Sequence, residues 1–234
     1  MSKRNVLVFD LDGTLINSAP DLALSLQKLL KSEGRREPDL AEVTAMIGDG
    51  AAKLVERGYA ATGTALPETD LKEKVVKFLD IYDHNLVVDT HLYPHARETL
   101  EKLKTQGWRL VICTNKPIAP TQELMNIFEL NEIFEKAVGG DSYPIKKPYA
   151  DHILFLLQEI GVKADQAIML GDGVNDVLAA QNASIPSILF THGYGTDAAR
   201  ALHPDAVVDS FLDLESTLKS FEAIVRHYSA IDEI

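Results

Sequence analysis

The sequence predicts an α/β protein: a Rossmann-like, doubly wound parallel sheet with an all-helical subdomain inserted after its first strand. Three observations carry this. Residues 6–14 read VLVFDLDGT, a short apolar run that meets Asp10 and is then stopped by Gly13, as a fully buried strand requires. From Pro94 onward, short apolar runs alternate with helical stripes, the pattern of βαβ units joined by right-handed crossovers. Between them, from about residue 16 to 88, the periodicity is helical and the stretch is too long for a simple crossover. The expected division is a core of residues 1–15 and 91–234, with an insert at 16–90.

Within the insert, Leu22, Leu26, Leu29 and Leu30 mark one face of a helix that Pro20 opens and Gly34 ends. A short helix is expected at 39–46, then a loop at Gly48, Asp49 and Gly50, then a helical stretch to about Tyr59. Leu71, Val75, Phe78, Leu79 and Tyr82 form the last helical stripe of the insert, which shows no convincing strand. In the second regime, helices are expected at 97–105, 121–128, 150–160 and 174–183, and from 212 to about 225. Strands are expected at 108–113, 137–139, 167–170, 185–190 and 206–208, with a loop at 191–195. Gly107 and Gly161 end the helices before them.

The 234 residues include 23 Lys and Arg against 35 Asp and Glu, a formal net charge of -12. Such a chain repels nucleic acid and anionic membrane, and no basic patch offsets the charge. An anionic substrate would need local positive charge, from a metal ion or a few placed lysines and arginines. The single cysteine, Cys113, excludes an internal disulfide and lies in an apolar run. The first apolar stretch is broken by Asp10, and no run reaches transmembrane length. A cytoplasmic enzyme or binding protein is expected, as a monomer or homodimer.

The predicted strand ends gather chemistry. Asp10 and Asp12 are two apart, so in an extended chain their side chains share a side. Carboxylates this close repel each other unless a cation lies between them, and oxygen ligands suit Mg²⁺. Another strand ends at Thr114 and Asn115, and a later one at Gly171 and Asp172, with Asn175 and Asp176 just beyond. Lys146 and Lys147 lie on a loop between. In a parallel sheet these ends share one edge, where open α/β sheets bind ligands. Carboxylates for a metal, a hydroxyl and an amide for phosphate oxygens, and a lysine for developing charge make a set suited to phosphate with Mg²⁺.

The segments VFDLDGTL, ICTN, KKP and GDGVND, in that order, resemble the four motifs of the haloacid dehalogenase superfamily. LYPHARETLEKL, CTNKP, VGGDSYPIKKP and THGYG, with an insert containing IGDGAAKLVERG, resemble the phosphoglycolate phosphatases within it. The resemblance implies a Mg²⁺-dependent phosphatase of a small phosphorylated metabolite. Asp10 would be the nucleophile and Asp12 the general acid and base, its backbone carbonyl also on Mg²⁺. Thr114, Asn115, Gly13 and Thr14 would contact the phosphoryl group. Lys147 would hold both nucleophile and phosphate, with Asp172 on the metal and Asp176 supporting the metal site. The insert would be a cap that closes over the site on hinges at 16–19 and 88–92. From it, backbone N–H groups of Gly48 to Gly50 would meet a substrate carboxylate, and Lys53 or Arg57 would pair with that carboxylate. The chain departs from the family pattern at Asp49, where relatives often have Asn, and at His95, often Gly.

Rival readings fit less well. A dinucleotide fingerprint at Gly171 lacks its third glycine, where Asp176 stands. A calcium loop at Asp10 lacks the remaining ligands. His91 and His95 are separated by Pro94 and read as loop residues rather than a zinc pair. His84, His152, His192, His203 and His227 are isolated, and are expected at the surface or hydrogen-bonded. A signalling receiver module also gathers carboxylates, a Thr and a Lys at a sheet edge, but has no helical insert. Within the superfamily, a phosphosugar phosphatase or mutase and a phosphonoacetaldehyde hydrolase stay open, the last requiring a cap lysine for which Lys53 is the candidate.

Overall fold

The first strand, β1 (Val6–Phe9), is fully enclosed because both of its faces are apolar. Leu7 and Phe9 enter one hydrophobic cluster while Val6 and Val8 enter another on the opposite face, the two-residue alternation of a pleated strand. The computed structural model describes residues 4–231, with side chains through Phe221; the side chain of His227 lies outside the described residues. After β1 come β2 (Ile16–Asn17), α1 (Ala19–Ser32), α2 (Leu40–Thr44), α3 (Ala51–Ala61), α4 (Glu68–Asp83) and β3 (His91–Leu92). The second half runs α5 (Ala96–Thr105), β4 (Arg109–Cys113), α6 (Ile118–Ile127), β5 (Lys136–Val138), α7 (Ala150–Glu159) and β6 (Ala167–Gly171). It closes with α8 (Val174–Asn182), β7 (Ser187–Phe190), α9 (Thr196–Arg200), β8 (Ala206–Val208) and α10 (Phe211–Ile231).

Six strands form one parallel sheet in the order β5-β4-β1-β6-β7-β8. The chain builds outward from β1 through β4 and β5, then crosses to the other side for β6, β7 and β8. Beside β1 the winding direction reverses, which opens a crevice at the carboxyl ends of the strands. Asp10 stands at that end, its N–H still bonded to Leu170 O at 2.9 Å.

Three local features differ from the sequence expectation. β2 and β3 pair antiparallel, Ile16 with Leu92 and Asn17 with His91, where hinge loops and no strand were anticipated. Two residues per strand are too few to register as a period. α6 starts at Ile118 rather than 121, because Pro120 falls in its first turn, where a missing N–H breaks no helical bond. α9 occupies a stretch for which the sequence suggested no element. His95 adopts φ 65°, a left-handed conformation that glycine takes more readily.

The β2/β3 pair brings both chain connections to the α1–α4 unit side by side. A buried carboxylate fixes them. Asp21, in the first turn of α1, accepts hydrogen bonds from the N–H groups of Val88 (3.0 Å), Asp89 (3.0 Å) and Thr90 (2.8 Å), and from Thr90 Oγ1 (2.6 Å). One carboxylate thus satisfies the whole returning connection. Asp21→Ala strands these donors and should cost about 2–4 kcal/mol of unfolding free energy in urea, with Asp21→Asn intermediate. A loss below about 0.5 kcal/mol would show that water replaces the clamp.

Candidate active site

Four strand ends deliver the polar residues to one place. Asp10 follows β1, Thr114 to Lys116 follow β4, Lys147 comes from the loop after β5, and Asp172 to Asp176 span the β6–α8 junction. One carboxylate oxygen each from Asp10, Asp172 and Asp176 lies within 4.8 Å of the others, and all three residues are buried. Lys147 Nζ sits 2.8 Å from Asp10 Oδ1 and 2.7 Å from Asp176 Oδ1. Burial opposes its charge, but Asp10 and Asp176 outweigh that and hold the ammonium above its ordinary value.

One lysine does not balance three carboxylates. Burial, then Asp176 and Asp10, pushes Asp172 up to about 8. Burial chiefly raises Asp10 to about 6, against the pull of Lys147. Such crowding fits a divalent cation bound by oxygen ligands. The three carboxylates are not equivalent toward one. Asp176 Oδ2 accepts from Gly173 N (3.0 Å) and Asp172 N (3.2 Å), and its Oδ1 from Lys147, so Asp176 is already engaged as a support. Asp172 is held by Thr14 Oγ1 at 2.9 Å and Tyr194 N at 2.7 Å. Thr14, read from the sequence as a phosphoryl contact, serves in the structure to orient Asp172. Gly13 adjoins the same carboxylate, and a Cβ there would fall 2.5 Å from Asp172 Oδ2.

Asp12 stands outside the carboxylate cluster. Its Oδ1 accepts from Ser18 Oγ at 2.5 Å and from Lys116 Nζ at 3.0 Å. Thr114 is buried and lines a cavity with Asp10, Asp12, Asn115 and Lys116. Asn115 Nδ2 donates to Gly48 O (3.0 Å) and Lys147 O (3.0 Å), so its amide N–H groups tie loops together instead of pointing at a free phosphate.

The helical unit meets the sheet edge through the loop at 48–50. Gly48 O also accepts from Asn175 Nδ2 at 3.2 Å, and Asp49 O accepts from Lys146 Nζ at 2.5 Å. In these contacts the loop presents carbonyls, not the N–H groups read from its glycines. Gly50 permits the approach, since a Cβ there would lie 2.6 Å from Asn115 O. The Asp49 carboxylate is paired with Arg57 and bonded by Asn175 Nδ2 at 2.8 Å. These bonds outweigh its burial and keep it below its ordinary value. Arg57 Nη1 also donates to Met46 O at 2.8 Å. Lys53 is exposed on α3, with Nζ 2.6 Å from Glu56. A helix surface carries such pairs whatever its function.

Lys116, Tyr194 and His192 carry roles that sequence reasoning missed. Tyr194 Oη accepts from Ser18 N (2.8 Å) and Ala19 N (3.0 Å), while its own N–H holds Asp172, so one residue joins the first connection to the carboxylate cluster. His192 Nε2 lies 3.1 Å from Thr14 O. The THGYG segment was the available signal. His152 is buried, with Nδ1 accepting Lys147 N–H at 3.1 Å and Nε2 on Gly139 O at 3.1 Å. Burial lowers it to about 4, so it stays a neutral brace behind Lys147.

Residues 7–190 match the family model of the haloacid dehalogenase-like hydrolases. A phosphoglycolate phosphatase of Caulobacter vibrioides is 37% identical, covering 89% of this chain and 88% of that protein. One from Agrobacterium fabrum is 36% identical over 93% of both. The crystal structure of a predicted phosphoglycolate phosphatase from Haemophilus somnus superposes with TM-score 0.87 at 34% identity, covering 93% of this chain and 99% of that one.

A raised Asp172 makes metal binding compete with protons. Below about pH 8 the metal-free site retains a proton that a cation must displace. Divalent-cation affinity should therefore weaken by up to about tenfold per pH unit from pH 8 to 6, with protons released in calorimetric titrations. Affinity flat over that range would contradict the crowding. Stability has the matching sign. A carboxylate raised from 3.8 to about 8 favours the folded state while neutral, so the metal-free protein loses stability as pH rises through that window. Asp172→Asn should raise its metal-free melting temperature at pH 8.

Proposed function

The chain belongs to the haloacid dehalogenase-like hydrolases, and from that premise we propose that it is a Mg²⁺-dependent phosphatase that converts 2-phosphoglycolate to glycolate and phosphate. The single observation that carries this reading is the buried grouping of Asp10, Asp172 and Asp176 around Lys147 at the end of the central strand. The names of the relatives, all phosphoglycolate phosphatases among those compared above, support the choice of substrate.

Asp10 and Asp172, with the Asp12 carbonyl, would hold Mg²⁺, and Asp176 would fix Asp172 and Lys147 behind them. The ion supplies positive charge where an anionic nucleophile meets a phosphate dianion. The chain's own groups do the rest. An Asp10 carboxylate oxygen attacks phosphorus, the bond to the ester oxygen breaks, and Asp12 gives that oxygen its proton. Asp12 then takes a proton from the water that attacks the aspartyl phosphate, which frees phosphate and restores Asp10. Lys147 keeps its charge through both steps and neutralises the nucleophile and the transferred group. Thr114 lines the cavity where that group sits. The helical unit, residues 16–90, acts as a cap, and its loop at 48–50 reaches Asn115, Lys146 and Asn175 to close out water.

With Mg²⁺, the protein should release phosphate from 2-phosphoglycolate over many turnovers, and chelation should stop it. Asp10→Asn should lower kcat at least about 10³-fold with an unchanged circular dichroism spectrum. Asp12→Asn should cost about 10²–10⁴-fold. One phosphate or fewer per chain would favour a phospho-accepting module, and sustained turnover by Asp10→Asn would remove Asp10 as nucleophile.

A further inference from the structure

The cavity under the cap contains one charge that the chemistry above leaves without a task. Lys116 follows Thr114 and Asn115 in the loop after β4, and its side chain is 3% exposed. Its Nζ lies 3.0 and 3.2 Å from the two Asp12 carboxylate oxygens. It also lies 2.8 Å from Tyr82 Oη, which arrives from α4 on the opposite side. Tyr82 is itself buried and stacked on Phe78. An ammonium has three N–H donors. Asp12 and Tyr82 engage two, and among the described residues no further hydrogen-bond acceptor meets this nitrogen.

The surroundings restrict what the third donor can meet. Beyond the catalytic loops the walls are apolar, formed by Leu22, Ile47, Leu54, Phe78 and Leu79. A sugar rich in hydroxyls would turn most of them to these walls and lose their hydrogen bonds to water. An ammonium-ended ester would be repelled by Lys116. A carboxylate answers both constraints: it pairs with the cation and leaves only methylene against the apolar wall. The cavity volume is about 40 Å³. It takes the phosphoryl group as well, so only a small organic end fits beside Lys116.

We infer that Lys116, held by Tyr82, reads the non-phosphate end of the substrate, and that this end is a carboxylate one or two carbons from the ester oxygen. The inference rests on the phosphatase reading and deepens it. It moves substrate selection away from the cap cations: Lys53 is paired with Glu56 on the surface, and Arg57 with Asp49 and Met46 O. Lys116 belongs to the core and Tyr82 to the cap, so the carboxylate is bound only where the two units meet.

The test compares kcat/KM for 2-phosphoglycolate and for its neutral carboxamide, with Mg²⁺ present. The wild-type protein should prefer the carboxylate at least about 10²-fold. Lys116→Met should bring the two within about threefold, chiefly through KM for the carboxylate, while Lys116→Arg keeps a preference of at least about tenfold. A Lys116→Met protein that slows on both esters equally, with their ratio intact, overturns the inference and leaves Lys116 as a support for Asp12. Tyr82→Phe keeps the ring and removes one partner of the ammonium, so the test does not depend on folding of the lysine variant. It should lower the ratio at least about threefold, and an unchanged ratio counts against the pair. Equal wild-type kcat/KM for both esters overturns the inference and leaves the phosphatase standing. No turnover of any phosphomonoester overturns the phosphatase reading itself.

Discussion

Everything at the sheet edge is arranged around an electrostatic imbalance. One carboxylate oxygen each from buried Asp10, Asp172 and Asp176 lies within 4.8 Å of the others, and among the described residues Lys147 is the cation paired with them. Such a group is unfavourable unless its charge is compensated. The protein compensates part of it with Lys147 and with N–H donors from Gly173, Asp172 and Tyr194. The remainder fits a divalent cation bound by oxygen ligands. The site is held in a state that needs its ligands.

The fold supplies the rigidity that this arrangement demands. β1 is packed on both faces and fixes Asp10, while β4 and β6 on either side bring Thr114 and Asp172 to the same level. Gly13 and Gly193 both abut Asp172, where Cβ atoms would come within 2.5 and 2.1 Å of its side chain. The carboxylate is thus clasped from two sides by backbone. The helical unit of α1–α4 contacts neighbours of the same residues. Asn115, Lys146 and Asn175 each adjoin or neighbour a group of the site, and each holds a carbonyl or carboxylate of the loop at 48–50. The contacts of the helical unit and those of the site therefore run through neighbouring side chains.

What the sequence revealed follows from where its signals reside. Strands of a parallel sheet are continuous apolar runs, so Asp10, Asp172 and the Thr114–Asn115 pair stood out as polar residues at their ends. Lys116 is adjacent to that pair, yet its importance depends on Tyr82, which is remote in sequence and belongs to another unit. Tyr194 and His192 act only because the loop after β7 folds back over Asp172 and Thr14. No spacing in the chain encodes that return. Lys53 and Arg57 show the opposite failure. Both are cations on one helix, and only the fold separates a surface pair with Glu56 from a pair beside the site. The glycines at 48 and 50 announced a close approach, but not that carbonyls would make it.

The most direct test of the central claim is to locate the cation. Crystals grown with Mn²⁺, a substitute for Mg²⁺ with a measurable anomalous signal, would show it. The account predicts one peak in contact with carboxylate oxygens of both Asp10 and Asp172, at roughly 2.0–2.2 Å, with Asp176 still bonded to Lys147. A peak elsewhere, or Asp10 and Asp172 sharing no ion at saturating metal, would contradict it.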